Sequence, residues 1–270
     1  MSDTDLVTHL EQVWTSMAAL GEQLGEAEWK TSTDVPGWSV QDNLTHITGI
    51  ERMILGDPAP EVEIPEGLEH IKNDAGKNNE VFVESRRALT GAEALTEFRE
   101  VTGRRLADLR AYAPDDFDNE SWTPMGPGKV RDLLPFRAFD SWVHEQDMRR
   151  AVGKPGNVDS EVADVAVERM VTTMPYVVGK KAGAPDGATV AFEVAGPPGR
   201  TFAVGVVGRA KVLDALPTDP TARVVTDGMT FVRLATGRVG PGDALADGSV
   251  RCDGDEALAR QVVESMNFLF

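Results

Sequence analysis

Apolar positions along the first part of the chain fall at intervals of three and four. Leu6, Leu10, Val13, Met17, Leu20 and Leu24 form one stripe, which predicts an amphipathic helix over residues 3–24. His9 lies at the border of that stripe and reads as a surface or boundary residue. A second stripe, Val40, Leu44, Ile47, Ile50 and Ile54, follows the turn Pro36-Gly37. Ser39 and Asp42 are spaced as a capping box at its start, and Gly56-Asp57-Pro58 ends it. Residues 57–77 carry Pro58, Pro60, Pro65 and several acidic groups; they read as a loop in which His70 is solvated. The helical period returns near Asn79 and runs to about Tyr112, with a break at Thr90-Gly91. Pro114 to Pro127 reads as another loop, and a long helix then covers roughly Val130 to Ala151, with Pro135 tolerated in its early turns. Four helices with short connections suit a bundle.

The texture changes after Gly153-Lys154-Pro155-Gly156, which places a domain boundary between residues 1–152 and 153–270. Val158 to Lys181 reads as helix. Ala188–Ala195 and Arg200–Val207 alternate like strands joined by the turn Gly196-Pro197-Pro198-Gly199. Ala222–Thr226 and Ser249–Asp253 read as further strands, Gly228–Ala235 as a short helix and Glu256–Phe268 as a closing helix. The fold class expected is therefore an all-α N-terminal helical bundle followed by a small α+β domain.

Composition narrows the function classes. With 270 residues, 41% hydrophobic, the chain can bury a sizeable core in two modest domains. Its formal charge of −17 repels phosphate backbones and anionic membrane surfaces, so neither nucleic acid nor membrane is expected as a partner. No apolar run approaches the length of a membrane span, and the N-terminus lacks the pattern of a secretory signal. One cysteine, Cys252, excludes an intrachain disulfide and fits a reducing cytoplasm; it reads as a small hydrophobe in a strand. No phosphate-binding glycine loop is present, since Gly237-Arg238-Val239-Gly240 lacks the strand-then-helix setting.

Within the long helix, Asp140 and His144 are four residues apart and share a face. A carboxylate and an imidazole in an apolar stripe must be satisfied, by each other and their neighbours or by a shared metal ion. His46 sits beside the apolar stripe of the second helix. In a bundle, the second and fourth helices can bring His46, Asp140 and His144 to one point. Two nitrogens and a carboxylate oxygen are a three-ligand set for a divalent metal, zinc above all, with a position left open.

These residues also carry a resemblance. Pro36-Gly37-Trp38-Ser39-Val40 with Leu44-Thr45-His46, and Asp140-Ser141-Trp142-Val143-His144-Glu145-Gln146-Asp147-Met148-Arg149, resemble the mycothiol-dependent maleylpyruvate isomerase family. That family joins a DinB-like metal-binding four-helix bundle to a C-terminal domain similar to sterol-carrier proteins. The resemblance implies zinc on His46, Asp140 and His144, with aspartate where the founding isomerase carries glutamate. It implies an arginine of the C-terminal domain holding substrate carboxylates, for which Arg238 is the candidate. It implies mycothiol as thiol cofactor and a small electrophilic substrate. The thiolate would add to a cis double bond and leave after rotation in an isomerase, or stay on the electrophile in an S-transferase. A metal-containing small-molecule binding protein and a zinc-dependent hydrolase are the alternatives. A cytoplasmic monomer or homodimer is expected.

Overall fold

The computed structural model describes residues 1–269, and the chain divides into two compact units, Met1–Asn157 and Val158–Phe270. The first is helical. Its elements are α1 (Asp3–Gly21), α2 (Glu26–Trp29), α3 (Val40–Ile54), α4 (Asp74–Glu84), α5 (Gly91–Ala111), the hairpin β1 (Glu120–Thr123) and β2 (Gly126–Lys129), and α6 (Val130–Ala151). Capping boxes start three of these helices, with Ser2 and Asp5, Ser39 and Asp42, and Thr90 and Glu93 each satisfying the other's backbone amide. The four long helices pack as α1 on α5 and α6, and α3 on α5 and α6, with α4 laid against α3. Leu10, Val13, Trp14, Met17, Leu44, Ile47, Phe98 and Trp142 fill the space between them. Gly49 is what lets α3 and α4 approach, since a Cβ there would lie 2.3 Å from Cβ of Phe82.

Several local readings of the sequence change. The segment expected as a loop before α6 holds the β1–β2 hairpin, preceded by a 3₁₀ turn at Pro114–Asp118. Four-residue strands containing Gly126, Pro127 and Gly128 carry no usable alternation, and the turn is held by Thr123 Oγ1 donating to the Gly126 carbonyl at 2.7 Å. Helix α4 begins at Asp74, capped by Asn73, well before the apolar positions that mark it. His9 is buried, because Val7 and Trp14 widen the apolar face of α1 beyond the stripe of leucines. His70 is not solvated; its Nε2 lies 3.0 Å from the fully buried Glu80 Oε2, and its ring packs on Gly37. The chain leaving α6 stays on this unit. Trp142 donates to the Asn157 carbonyl at 2.7 Å and Gln146 to that of Gly156 at 3.2 Å.

The second unit comprises α7 (Glu161–Tyr176, continued by a π turn to Lys181), β3 (Thr189–Ala195), β4 (Arg200–Val207), β5 (Arg209–Val212), β6 (Ala222–Asp227), α8 (Gly228–Ala235), α9 (Pro241–Ala246), β7 (Val250–Gly254) and α10 (Glu256–Glu264). Its sheet has the order β5-β4-β3-β6-β7, antiparallel except for the β3–β6 pair. Phe192 faces Phe202 across β3 and β4 with rings stacked at 4.7 Å, and Phe231 of α8 meets both edge-on. Strand β5 and helix α9 had no sequence signal; four and six residues are too few to establish a period. Cys252 lies in β7, half-buried, with its thiol pushed up by burial. A helical region followed by a sheet-containing domain is thus the architecture. No helix among the described residues is long and apolar enough to cross a membrane.

Candidate metal centre

Helices α3 and α6 run side by side in opposite directions, and their facing polar residues meet in three levels. Asn43 meets His144, His46 meets Asp140, and Glu51 meets Arg137. On α6, Arg137, Asp140 and His144 fall at i, i+3 and i+7, one face of the helix. His46, Asp140 and His144 each offer a ligand atom, all within 4.8 Å of one another. His46 Nε2 is 3.2 Å from Asp140 Oδ2, and His144 Nε2 is 3.6 Å from Asp140 Oδ1. His46 faces one oxygen of Asp140 and His144 the other, which brings the three residues within reach of a single ion.

The protonation states fit as well. Asn43 Nδ2 donates to the Ser39 carbonyl at 2.8 Å and to Thr33 Oγ1 at 3.1 Å, which turns its Oδ1 toward His144. His144 Nδ1 donates to that oxygen at 2.6 Å, so Nε2 keeps its lone pair on the side of Asp140. Burial drives the pKa of His46 down to about 4, against the pull of Asp140, and the ring is neutral at neutral pH. Its Nδ1 is buried without a hydrogen-bond partner. Burial alone would raise Asp140, but the neighbouring His46 and the Arg137 guanidinium hold it well below the usual carboxylate range. A neutral His46 and an ionised Asp140 are forms that suit a metal ion. The histidines are almost fully buried, whereas the Asp140 side chain is 27% exposed, so the cluster meets solvent on the aspartate side.

Neighbouring side chains complete the site. The Trp38 indole lies 5.0 Å from the His46 ring and 5.7 Å from that of His144, covering both with an apolar face. Its Nε1 donates to Glu80 at 2.9 Å, and Glu80 also takes Arg87 at 2.6 Å. Arg137 donates from Nη1 to Asp140 Oδ2 at 2.8 Å and from Nε to Glu51 Oε1 at 2.6 Å. Arg105 of α5 stands 3.4 Å from the other oxygen of Glu51. All of Glu51, Arg105 and Arg137 are buried.

The triad named from sequence is therefore assembled, but Asn43, Glu51 and Arg137 were missed. Spacing held the signal: Asn43 precedes His46 by three residues and Arg137 precedes Asp140 by three, each one turn along the same face. Phe136 is only half-buried, and Arg137 occupies the inward position one turn before Asp140. Arg238 belongs to the second unit. It follows Gly237, whose φ of +72° ends α8, and its Nη1 donates to the Thr236 carbonyl at 2.7 Å. It lines a cavity of about 310 Å³ with Leu234, Val263 and Asn267.

Comparison with known proteins places this arrangement in a family of two-part helical and α+β chains. The family model described as the mycothiol maleylpyruvate isomerase N-terminal domain matches residues 10–149, and the corresponding C-terminal domain model matches residues 164–261. The chain belongs to the mycothiol maleylpyruvate isomerase family. Two similar relatives are the uncharacterized proteins Rv0036c and MT0041 of Mycobacterium tuberculosis strains H37Rv and CDC 1551. Each is 25% identical over 243 residues, covering 88% of this chain and 86% of the relative. The crystal structure of the mycothiol-dependent maleylpyruvate isomerase superposes with a TM-score of 0.59 over 94% of this chain and 93% of that one. At 14% identity that likeness establishes the shared fold.

Proposed function

We propose that this protein is a metal-dependent enzyme that uses mycothiol. It would promote addition of the thiol to a small electrophilic substrate, by cis–trans isomerisation or by S-transfer. The observation that carries this reading is the convergence of His46, Asp140 and His144, whose ligand atoms all lie within 4.8 Å of one another beside a partly exposed carboxylate. A zinc ion held there would lower the pKa of a bound thiol and make thiolate available at neutral pH.

The chain's own part is positioning. Asn43 fixes the His144 tautomer, and burial keeps His46 unprotonated. Trp38 shields one side of both rings from water. Arg238 is the group we assign to a substrate carboxylate, supported by its place on a cavity of the second unit.

Metal analysis of the purified protein and of His144→Ala, followed by calorimetric titration with mycothiol, tests the proposal. The expected result is one zinc per wild-type chain, little in the variant, and a heat of thiol binding that varies with the ionisation enthalpy of the buffer, the mark of proton release. Thiol-dependent conversion of maleylpyruvate, or thiol consumption with an electrophile, then separates isomerase from transferase. Tight thiol binding without turnover would leave a binding protein. A metal-loaded protein indifferent to thiol would leave a zinc hydrolase. Equal, near-zero metal in both proteins would end the account.

A further inference from the structure

Behind the candidate ligands lies a buried chain of charges that the three-ligand set does not use. Arg137 donates to Asp140 Oδ2 at 2.8 Å with one nitrogen and to Glu51 Oε1 at 2.6 Å with another. Glu51 is in turn 3.4 Å from Arg105. Glu51 is wholly buried, and Arg137 and Arg105 are each 4% exposed, so none of these charges is dispersed by water. The set Asp140, Arg137, Glu51 and Arg105 is neutral in the absence of a metal. Arg137 supplies the positive charge next to the carboxylate that a bound cation would otherwise supply.

Resting on the zinc reading above, we propose that Arg137 is a built-in counter-cation. It holds Asp140 turned toward His46 and His144 before any metal arrives, and it weakens the hold of the site on that metal. The argument is electrostatic. A cation coordinated by Asp140 stands across one carboxylate from the guanidinium, inside a region of low polarity where like charges repel strongly. The carboxylate oxygen that faces His46 is also the one that Arg137 occupies, so arginine and metal draw on the same donor. A site built this way is preassembled yet binds less tightly than three unopposed ligands would. It also leaves more positive charge on the bound ion to act on a thiol.

Competition titrations of the metal-free protein with Zn²⁺ and a chromophoric chelator test this without any assay of turnover. Arg137→Gln can still donate to Asp140 but carries no charge, and it should bind Zn²⁺ at least about tenfold more tightly than wild type. Arg137→Lys keeps the charge and should stay within about threefold of wild type. A purely positioning role predicts the opposite for Arg137→Gln, a loss of about 10–100-fold. An unchanged or weakened affinity in Arg137→Gln overturns the proposal. Should that variant fail to fold, Arg105→Gln replaces it. Arg105 does not touch Asp140, so loss of its charge should tighten Zn²⁺ binding by about threefold, and no tightening is again a refutation. If wild type binds no Zn²⁺ at all, it is the metal-site reading that fails.

Discussion

Replacing Asn43 by alanine removes the group that sets the tautomer of His144. The side chain is fully buried and makes three hydrogen bonds, at 2.6 Å to His144 Nδ1, 2.8 Å to the Ser39 carbonyl and 3.1 Å to Thr33 Oγ1. Two of these fasten the start of α3 and at about 1 kcal/mol each contribute roughly 2 kcal/mol. The third leaves a buried N–H on His144, worth about another 1–3 kcal/mol if nothing replaces the acceptor. Asp147 Oδ2 stands 3.4 Å from the same nitrogen and can take part of that load, so a total near 3 kcal/mol is expected. The second effect is specific to the site. Without Asn43 the imidazole is free to turn or to exchange tautomers, and Zn²⁺ affinity should fall by about 10–100-fold.

The assay is favourable because all five tryptophans, at 14, 29, 38, 122 and 142, lie in the unit Met1–Asn157. Tryptophan fluorescence during urea unfolding of metal-free protein therefore reports on the helical unit alone. Chelator competition gives the affinity separately. A variant that loses stability but keeps the affinity of wild type would refute the reasoning, because Asn43 would then be a core residue with no hold on the ligand.

Trp38→Phe should abolish most of the fluorescence change on Zn²⁺ titration, since Trp38 is the indole packed against both imidazoles; an undiminished response would point to a different site. Burial alone would raise the pKa of Glu80, but hydrogen bonds from His70, Trp38 and Arg87 together hold it low. Its contribution to stability is thus present above the unfolded carboxylate pKa and is lost as pH falls through the lower folded value. Wild type should lose stability over that acidic window, and Glu80→Gln should flatten the loss in pH-dependent thermal melts. Gly49→Ala should destabilise by about 1–3 kcal/mol despite the better helix propensity of alanine, because the new methyl meets Phe82. A stabilised variant in urea titration would show that α4 yields there.

The long helices and the main strands were legible because each repeats its period several times: the leucines of α1, the isoleucines of α3 and the alternation of β3 and β4. The capping box of Ser39 and Asp42 was legible because it is local. What escaped was short or polar. The β1–β2 hairpin, β5 and α9 are too brief for a period, and α4 opens with the polar stretch Asp74-Ala75-Gly76-Lys77-Asn78-Asn79. At the site, the three candidate ligands were legible because histidines are scarce, four in 270 residues, and two of them fell on helix faces that can meet. Arginine and glutamate are common and usually solvated, so Arg137 and Glu51 looked ordinary until the fold buried them against each other. His70 was misread for a related reason, its partner Glu80 lying ten residues away on a helix whose start was itself misplaced.

Helix α6 shows how the structure separates architecture from chemistry. It buries Arg137, Ser141, His144, Glu145, Gln146 and Asp147 along with its apolar residues, which is tolerable only if each polar group finds a partner. The partners divide by element. Toward α1 and the departing chain, Ser141 accepts from Trp14, Glu145 accepts from Ser16 and Asn157, and Gln146 donates to Gly156. Toward α3, Arg137, Asp140 and His144 meet Glu51, His46 and Asn43. The first set holds the helix and fixes the exit of the chain at Asn157; the second stands on that held helix as on a rigid base. Burial raises the pKa of Glu145, and Ser16, Asn157 and Arg149 occupy its oxygens, which makes it a structural post. The two carboxylates sit five residues apart on one helix, and it is the company each keeps that decides which of them can hold a metal.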